Sequence, residues 1–219
     1  MTFLCLPVKS LVRAKERLDH YLSQDDRQAL ARAMFEDVLL EARKVRGVDK
    51  LVVVSNDAQV LIVAAGAGAL VMVEREQLSH AASADWAVAE CMKRGATTVM
   101  LIPMDVPLVR AEEMESLLEK SRSISPPSLV IVPSRDGTGT NAMVRNPPDV
   151  IRSRFGPNSF PDHLAQAKAR GARVEVMRPG GMVLDIDEPA DISLFLAENP
   201  SGRAADLLNE IRGRKSQSA

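Results

Sequence analysis

Three acidic positions and one basic stretch carry the chemistry this sequence offers. Asp105 ends an apolar run in Pro103-Met104-Asp105-Val106-Pro107, and Asp185 and Asp187 stand two apart in Leu184-Asp185-Ile186-Asp187-Glu188-Pro189. A carboxylate at the end of a buried strand costs desolvation energy unless it is paired or bound to a cation. In extended backbone, Asp-x-Asp turns both carboxylates to one face, roughly 7 Å apart. A hard cation such as Mg²⁺ takes carboxylate and phosphate oxygens together, which suits this set. Plainer roles stand beside that one: Asp105 as a turn residue, and Asp187 as the N-cap of a helix with proline in its first turn. The basic stretch is Lys9, Arg13, Lys15 and Arg17, directly after the first apolar run. Lysine acts as a point charge and arginine as a bidentate fork, so the stretch is either a polyphosphate clamp or a solvated basic turn.

Two further segments can hold anions. In Asp136-Gly137-Thr138-Gly139-Thr140-Asn141 the glycines permit φ > 0, so backbone N–H groups can converge into a nest, with hydroxyl and amide donors beside it. Asp-Gly is equally an ordinary hairpin turn. In Phe155-Gly156-Pro157-Asn158-Ser159-Phe160, Ser159 with Asp162 matches a helix-start pattern, and a helix N-terminus accepts phosphate or carboxylate. His20, His80 and His163 lie in no HExxH or Ser-His-Asp context, so none is read as a catalyst or metal ligand. Neither GxxxxGK[ST] nor GxGxxG occurs, which disfavours P-loop and dinucleotide-binding readings.

The elements that must position these residues alternate between β-rich and helical patterns. Strand-like runs fall at 2–8, 51–55, 69–73, 97–103, 128–132, 141–144 and 173–177, with helical patterns at 24–45, 58–65, 82–94, 111–121, 161–170, 189–198 and 204–214. Strands spaced by helices predict βαβ units and a mostly parallel sheet covered on both faces. Ligands on such sheets bind beyond the carboxyl ends of the strands, where Lys9–Arg17, Asp105 and Asp136–Asn141 fall. Residues after Asn199 read as a loosely packed polar helix or tail.

With 219 residues, one large domain with a genuine core is expected. The 28 Lys and Arg against 29 Asp and Glu leave a net charge of -1, so no global basic field invites nucleic acid; aromatic residues at 3% supply no stacking platform for single strands. Cys5 and Cys91 form no ligand-like spacing and read as small core residues. No 18-residue apolar run occurs, and a cytoplasmic protein with no membrane partner is expected.

Taken in order, Leu6-Pro7-Val8-Lys9, Arg13 to Leu18, Asp105-x-Pro107-Leu108, Asp136 to Asn141, Phe155-Gly156-Pro157-x-Ser159 and Leu184-Asp185-Ile186-Asp187 resemble the 2-phospho-L-lactate/phosphoenolpyruvate guanylyltransferase family of deazaflavin coenzyme F-420 biosynthesis. The resemblance implies an α/β fold: a single nucleotidyltransferase domain, Rossmann-like and GT-A-type, over residues 1–198, followed by a polar C-terminal helix or tail over 199–219. It further implies joining of GMP from GTP, the co-substrate, to the phosphate of phosphoenolpyruvate or 2-phospho-L-lactate. Asp105, Asp185 and Asp187 would hold Mg²⁺, while Lys9, Lys15, Arg17 and Asp105 would meet the nucleotide. Thr140, Asn141, Gly156 and Ser159 would hold the acceptor, with Lys15, Asp105 and Asp187 carrying catalysis. A downstream transferase of the same pathway is the implied partner. The sequence departs from the family pattern at Leu78-Ser79-His80, where relatives carry Leu-Asn, and at Asn141, where some carry threonine. Two other classes remain open on the residues: a nucleotidyltransferase acting on a sugar phosphate or the molybdenum cofactor, and a non-catalytic nucleotide sensor.

Overall fold

The computed structural model describes residues 1–74, 79–156 and 158–217; Leu78 and Pro157 lie outside the described residues, as do the side chains of Arg13 and His80. Among the described residues, seven strands form one sheet in the order β3-β2-β1-β4-β6-β5-β7. They are β1 (Thr2–Pro7), β2 (Lys50–Ser55), β3 (Leu70–Val73), β4 (Thr98–Leu101), β5 (Ser128–Pro133), β6 (Thr140–Asn146) and β7 (Arg173–Val176). The helices are α1 (Gln24–Ala42), α2 (Ala58–Gly66), α3 (His80–Lys93), α4 (Ala111–Ser123), α5 (Ser159–Ala169), α6 (Pro189–Ala197) and α7 (Arg203–Gln217).

Side chains along a strand alternate between faces, and the buried strands use both. Leu4 and Leu6 of β1, with Met100 of β4, pack under α1, α2 and α4. Phe3 and Cys5, with Val99 and Leu101, pack under α3 and α5, where Cys91 also sits. That two-sided burial is why these strands read as unbroken apolar runs. β1 pairs in parallel with both β2 and β4. The chain leaves β1 toward β2 on one side and returns as β4 on the other, so a crevice opens beyond their carboxyl ends.

Only β6 runs against the rest, antiparallel to β4 and to β5. Its reversal brings the β5–β6 hairpin to the same sheet edge as the ends of β1 and β4. The β5–β6 register shifts there, with Val132 opposite Ala142 and Pro133 opposite Thr140, so Asn141 is the extra residue of a bulge. Bulges re-aim side chains beside functional sites.

The C-terminal segment is a helix, one of the two forms expected of it, but it is packed rather than loose. α1 has two buried sides: Ala31, Phe35 and Val38 face the sheet, while Leu30 and Met34 pack against Ala204, Ala205, Leu208 and Ile211 of α7 and Phe195 of α6. Asp37 of α1 accepts hydrogen bonds from the Arg203 and Ala204 amides, both 2.9 Å, and so caps the start of α7. No helix among the described residues is long and apolar enough to cross a membrane.

Candidate active site

Beyond β1 the chain makes two short 3-10 turns, Leu11–Arg13 and Glu16–Leu18. Asp57, at the end of β2, accepts the Leu11 amide at 3.1 Å and ties this loop to the sheet. Lys15 lies between the turns in left-handed backbone, φ 57 and ψ 44, at a cost of about 1–2 kcal/mol for a residue with a Cβ. The turn sends its side chain inward. Lys15 Nζ reaches Asp105 Oδ2 at 2.9 Å and Asp187 Oδ1 at 2.8 Å, with 5% of the side chain exposed. Burial works to strip this ammonium of its proton, but the two carboxylates outweigh it and hold its pKa above the ordinary lysine value. Arg17 stays at the exposed rim, 3.7 Å from Asp187 and 3.9 Å from Glu188, and Lys9 is exposed on the same side.

The two acidic segments are stitched together by backbone: the Ile186 amide donates to the Asp105 carbonyl at 3.0 Å. Ile186 is itself fully buried. The helix cap expected of Asp187 falls instead to Glu188, and Asp191 Oδ2 accepts the amides of both Asp187 and Glu188. The Asp187 carboxylate is thereby left for Lys15. Asp185 accepts from Asn141 Nδ2 at 3.1 Å, and the same amide donates to the Met182 carbonyl at 2.9 Å. Burial, then the charges of Asp105 and Asp187, push the Asp185 carboxyl up to about 6.

The hairpin differs from the anion nest its glycines suggest. The Thr138 amide and hydroxyl both donate to Asp136, and the Gly139 amide donates to Ser134 Oγ at 2.7 Å. Ser134 and Thr138 hold the Asp136 carboxyl down at about 2. These amides are consumed inside the turn, so what the hairpin presents is the side chains of Thr140 and Asn141. Ser159 is the first residue of α5 rather than its cap, which is Asn158 at φ 63. Freed from capping, Ser159 Oγ lies 3.4 Å from Thr140 Oγ1.

Two cavities meet at this edge. One, of ≈ 380 Å³, is lined by Thr140, Asn141, Gly156, Ser159, Asp185 and Arg135. The other, of ≈ 790 Å³, is lined by Lys9, Ser10, Lys15 and Met104. Pro103, Asp105 and Asp187 belong to both and form the seam. Two ligands seated on either side would touch over these aspartates. Lys9, Lys15, Arg17, Asp105, Thr140, Asn141, Gly156, Ser159, Asp185 and Asp187 therefore reach one cleft system, with Lys9 and Arg17 at its rim, while the Arg13 side chain lies outside the described residues. Arg135 is not among those assigned from the sequence, although it stands two residues past the end of β5 and the strand-end rule reaches it. His163, read from the sequence as neither catalyst nor metal ligand, lies fully buried beneath Thr140.

Among the described residues, no group of three or more His, Cys, Asp or Glu side chains surrounds a single point as a metal would require; the Lys15 ammonium stands between Asp105 and Asp187. The donor chemistry nonetheless fits a hard divalent cation. Asp105, Asp185 and Asp187 offer only oxygen, and the Asp185 carboxyl is raised first by burial and then by the charges of Asp105 and Asp187, a repulsion that such a cation would relieve.

Comparison with known proteins shows the family. The chain is 35% identical over 215 residues to a phosphoenolpyruvate guanylyltransferase of Conexibacter woesei, covering 96% of each chain. It is 29% identical over 211 residues to a 2-phospho-L-lactate guanylyltransferase of Methanothermobacter thermautotrophicus, covering 96% of this chain and 91% of the relative. It is 32% identical over 194 residues to a 3-phospho-D-glycerate guanylyltransferase of Colwellia psychrerythraea, covering 89% and 90%. A crystal structure from Desulfovibrio desulfuricans G20, assigned to the nucleotide-diphospho-sugar transferases, superposes with a TM-score of 0.78 at 17% identity, covering 99% and 97%, which bears on the fold. The family profile described as guanylyl transferase, CofC-like, matches residues 2–216, final helix included, and the chain belongs to that family.

Proposed function

We propose that this protein joins GMP from GTP to the phosphate of phosphoenolpyruvate or 2-phospho-L-lactate, releasing pyrophosphate, as a step toward coenzyme F-420. The observation that carries this reading is the seam: two cavities sharing Asp105 and Asp187, which Lys15 bridges at 2.9 and 2.8 Å. An acceptor phosphate oxygen attacks the α-phosphorus of GTP, and the bond from that phosphorus to the β-bridging oxygen breaks. A phosphate monoester has a second pKa of about 6, so the nucleophile is already anionic near neutrality and needs no general base.

The difficulty lies in bringing two polyanions together. Lys15, with Lys9 and Arg17 at the rim, offsets charge on the triphosphate and on the departing pyrophosphate. Thr140 donates a hydrogen bond to the acceptor; Asn141 and Ser159 line the same cavity, the Asn141 amide donating to Met182 and Asp185 and Ser159 Oγ to Thr140, and Gly156 lets the acceptor approach the backbone closely. Asp105, Asp185 and Asp187 would hold Mg²⁺, which supplies Lewis-acid neutralisation of phosphate charge. The product would pass to a downstream transferase of the same pathway in the cytoplasm.

The test is pyrophosphate release with GTP and Mg²⁺ in the presence of phosphoenolpyruvate, 2-phospho-L-lactate or 3-phospho-D-glycerate, with ATP and CTP as controls and EDTA in a parallel arm. Release should need GTP, divalent metal and one of the first two acceptors. Equal rates without acceptor, a preference for CTP, or full activity in EDTA would each refute the corresponding assignment.

A further inference from the structure

The structure holds a buried histidine whose hydrogen bonds leave it one protonation pattern. His163 lies on α5 and is 0% exposed. Its Nε2 receives the backbone amide of Arg154 at 2.9 Å, and its Nδ1 lies 2.9 Å from Thr140 Oγ1. A backbone N–H can only donate, so Nε2 carries a lone pair. The ring is neutral: burial first, then the positive charge of Arg145, push its pKa down to about 4, with Asp85 opposing and Arg154 adding to the fall. A neutral imidazole with a bare Nε2 has its proton on Nδ1. Thr140 Oγ1 must therefore accept from His163.

That fixes what Thr140 can do. A hydroxyl has two lone pairs and one proton. One lone pair takes the His163 proton, and Ser159 Oγ, at 3.4 Å, can donate to the other. The remaining capacity of Thr140 is its own proton, on a residue that lines the cleft beside Asn141, Gly156 and Ser159. The surroundings make the arrangement rigid. Phe155 meets the imidazole edge-on at 6.2 Å and 77°. Arg145 of β6, fully buried, donates to Ser153 Oγ at 2.8 Å, while the Ser153 amide donates to Asp85 of α3 at 2.8 Å. The segment carrying Ser153, Arg154 and Phe155 is thus held from the sheet and from α3 while it presents one amide to the ring.

We infer that His163 is a positioning residue for the acceptor: by donating Nδ1–H to Thr140 it commits the Thr140 hydroxyl to donate into the cleft, toward an anionic oxygen of the phosphorylated acid. The inference rests on the proposed acceptor role of this cavity. It gives His163 a part in substrate recognition with no contact to substrate and no proton transfer.

The experiment uses the full chain. In wild-type protein with ¹⁵N-labelled histidine, NMR should find His163 protonated on Nδ1 and bare on Nε2 at neutral pH. An Nε2–H tautomer, or a rapid mixture of tautomers, overturns the inference without any substitution. Steady-state kinetics with GTP and each acceptor then separate the roles. Thr140→Val should raise the acceptor KM about tenfold, as loss of one hydrogen bond to a charged group requires, with Thr140→Ser restoring it. His163→Gln places an acceptor near the Arg154 amide but no donor at Thr140, and should raise the acceptor KM about threefold or more while the GTP KM stays within about twofold. His163→Asn places its amide N–H near the Nδ1 position and should recover part of that loss. An acceptor KM unchanged in His163→Gln, with Thr140→Val impaired, overturns the inference and leaves the proposed reaction standing. An acceptor KM unchanged in Thr140→Val overturns it as well. Failure of the reaction itself is read separately, as wild type inert with every acceptor, and the inference falls with it.

Discussion

Replacing Lys15 by methionine tests the centre of the site. Methionine keeps most of the apolar stem and deletes the ammonium that lies 2.9 and 2.8 Å from two carboxylates. Removing one partner of a buried ion pair costs about 3–5 kcal/mol. Here the orphaned side chains are 24% exposed at Asp105 and 38% at Asp187, so water recovers part of their hydration and about 2 kcal/mol is the better expectation. At about 2–4 °C per kcal/mol for a chain of this size, the melting temperature should fall by about 4–8 °C. In the proposed reaction this cation offsets developing phosphate charge, so its deletion should also lower kcat/KM by about 10²–10³-fold. Circular-dichroism melts in EDTA and in Mg²⁺ provide the assay. Mg²⁺ should recover more of the melting temperature in the variant than in wild type, because the variant leaves more uncompensated negative charge. A variant that melts with wild type and turns over within about threefold of it would refute the reasoning, since no transition-state interaction would then have been lost.

Asp185→Asn keeps an acceptor for Asn141 while removing a carboxyl whose pKa lies at about 6 against an ordinary 3.8. A folded-state pKa raised this way destabilises the ionised protein at neutral pH; with partial exposure discounted, the variant should gain about 2 kcal/mol at pH 7 in EDTA, a gain that fades as pH falls through 6 toward 4. Its turnover should be lost. For His163 the sign is reversed: the unfolded chain takes up the proton near 6.5 and the folded chain only near 4. The stability advantage of wild type over His163→Gln should therefore be full above pH 6.5 and shrink by up to about 3 kcal/mol by pH 4, as urea titrations across that range would measure. Asp37→Ala removes both hydrogen bonds that start α7 and should cost about 1–2 kcal/mol in the same assay, with turnover retained.

What the sequence disclosed follows from where the apolar residues lie. Parallel strands buried on both faces read as unbroken runs, and β1, β2 and β4 were legible for that reason. The strand-end rule then led to Lys9–Arg17, Asp105 and the hairpin before any contact was known. Less visible was anything set by competition between partners. Asp136-Gly137-Thr138-Gly139 has the composition of an anion nest, but Ser134 and Asp136 take its amides first. Asp187 has the position of a cap, but Asp191 and Glu188 perform that task. The second buried side of α1 was hidden because Leu30 and Met34 fall into the same helical periodicity as the residues facing the sheet. The left-handed turn at Lys15 carries no signature, since a lysine there breaks the usual preference for glycine. His163 was passed over because a histidine that acts through a neighbouring hydroxyl leaves no motif.

The reversed course of β6 divides labour along the chain. Everything lining the cavity proposed for the nucleotide comes from residues before 106, apart from Asp187, whereas Thr140, Asn141, Gly156, Ser159 and His163 all fall within the β5-to-α5 stretch. On the proposed reading, most acceptor contacts therefore fall in one contiguous cassette, bounded by a sheet strand and a helix with their own core contacts, with Asp185 contributed from outside it. Grafting that cassette between homologues that prefer different acids should carry the preference along while the grip on guanosine triphosphate stays behind. A lineage could retune its small-molecule diet the same way, by drift in some forty neighbouring codons.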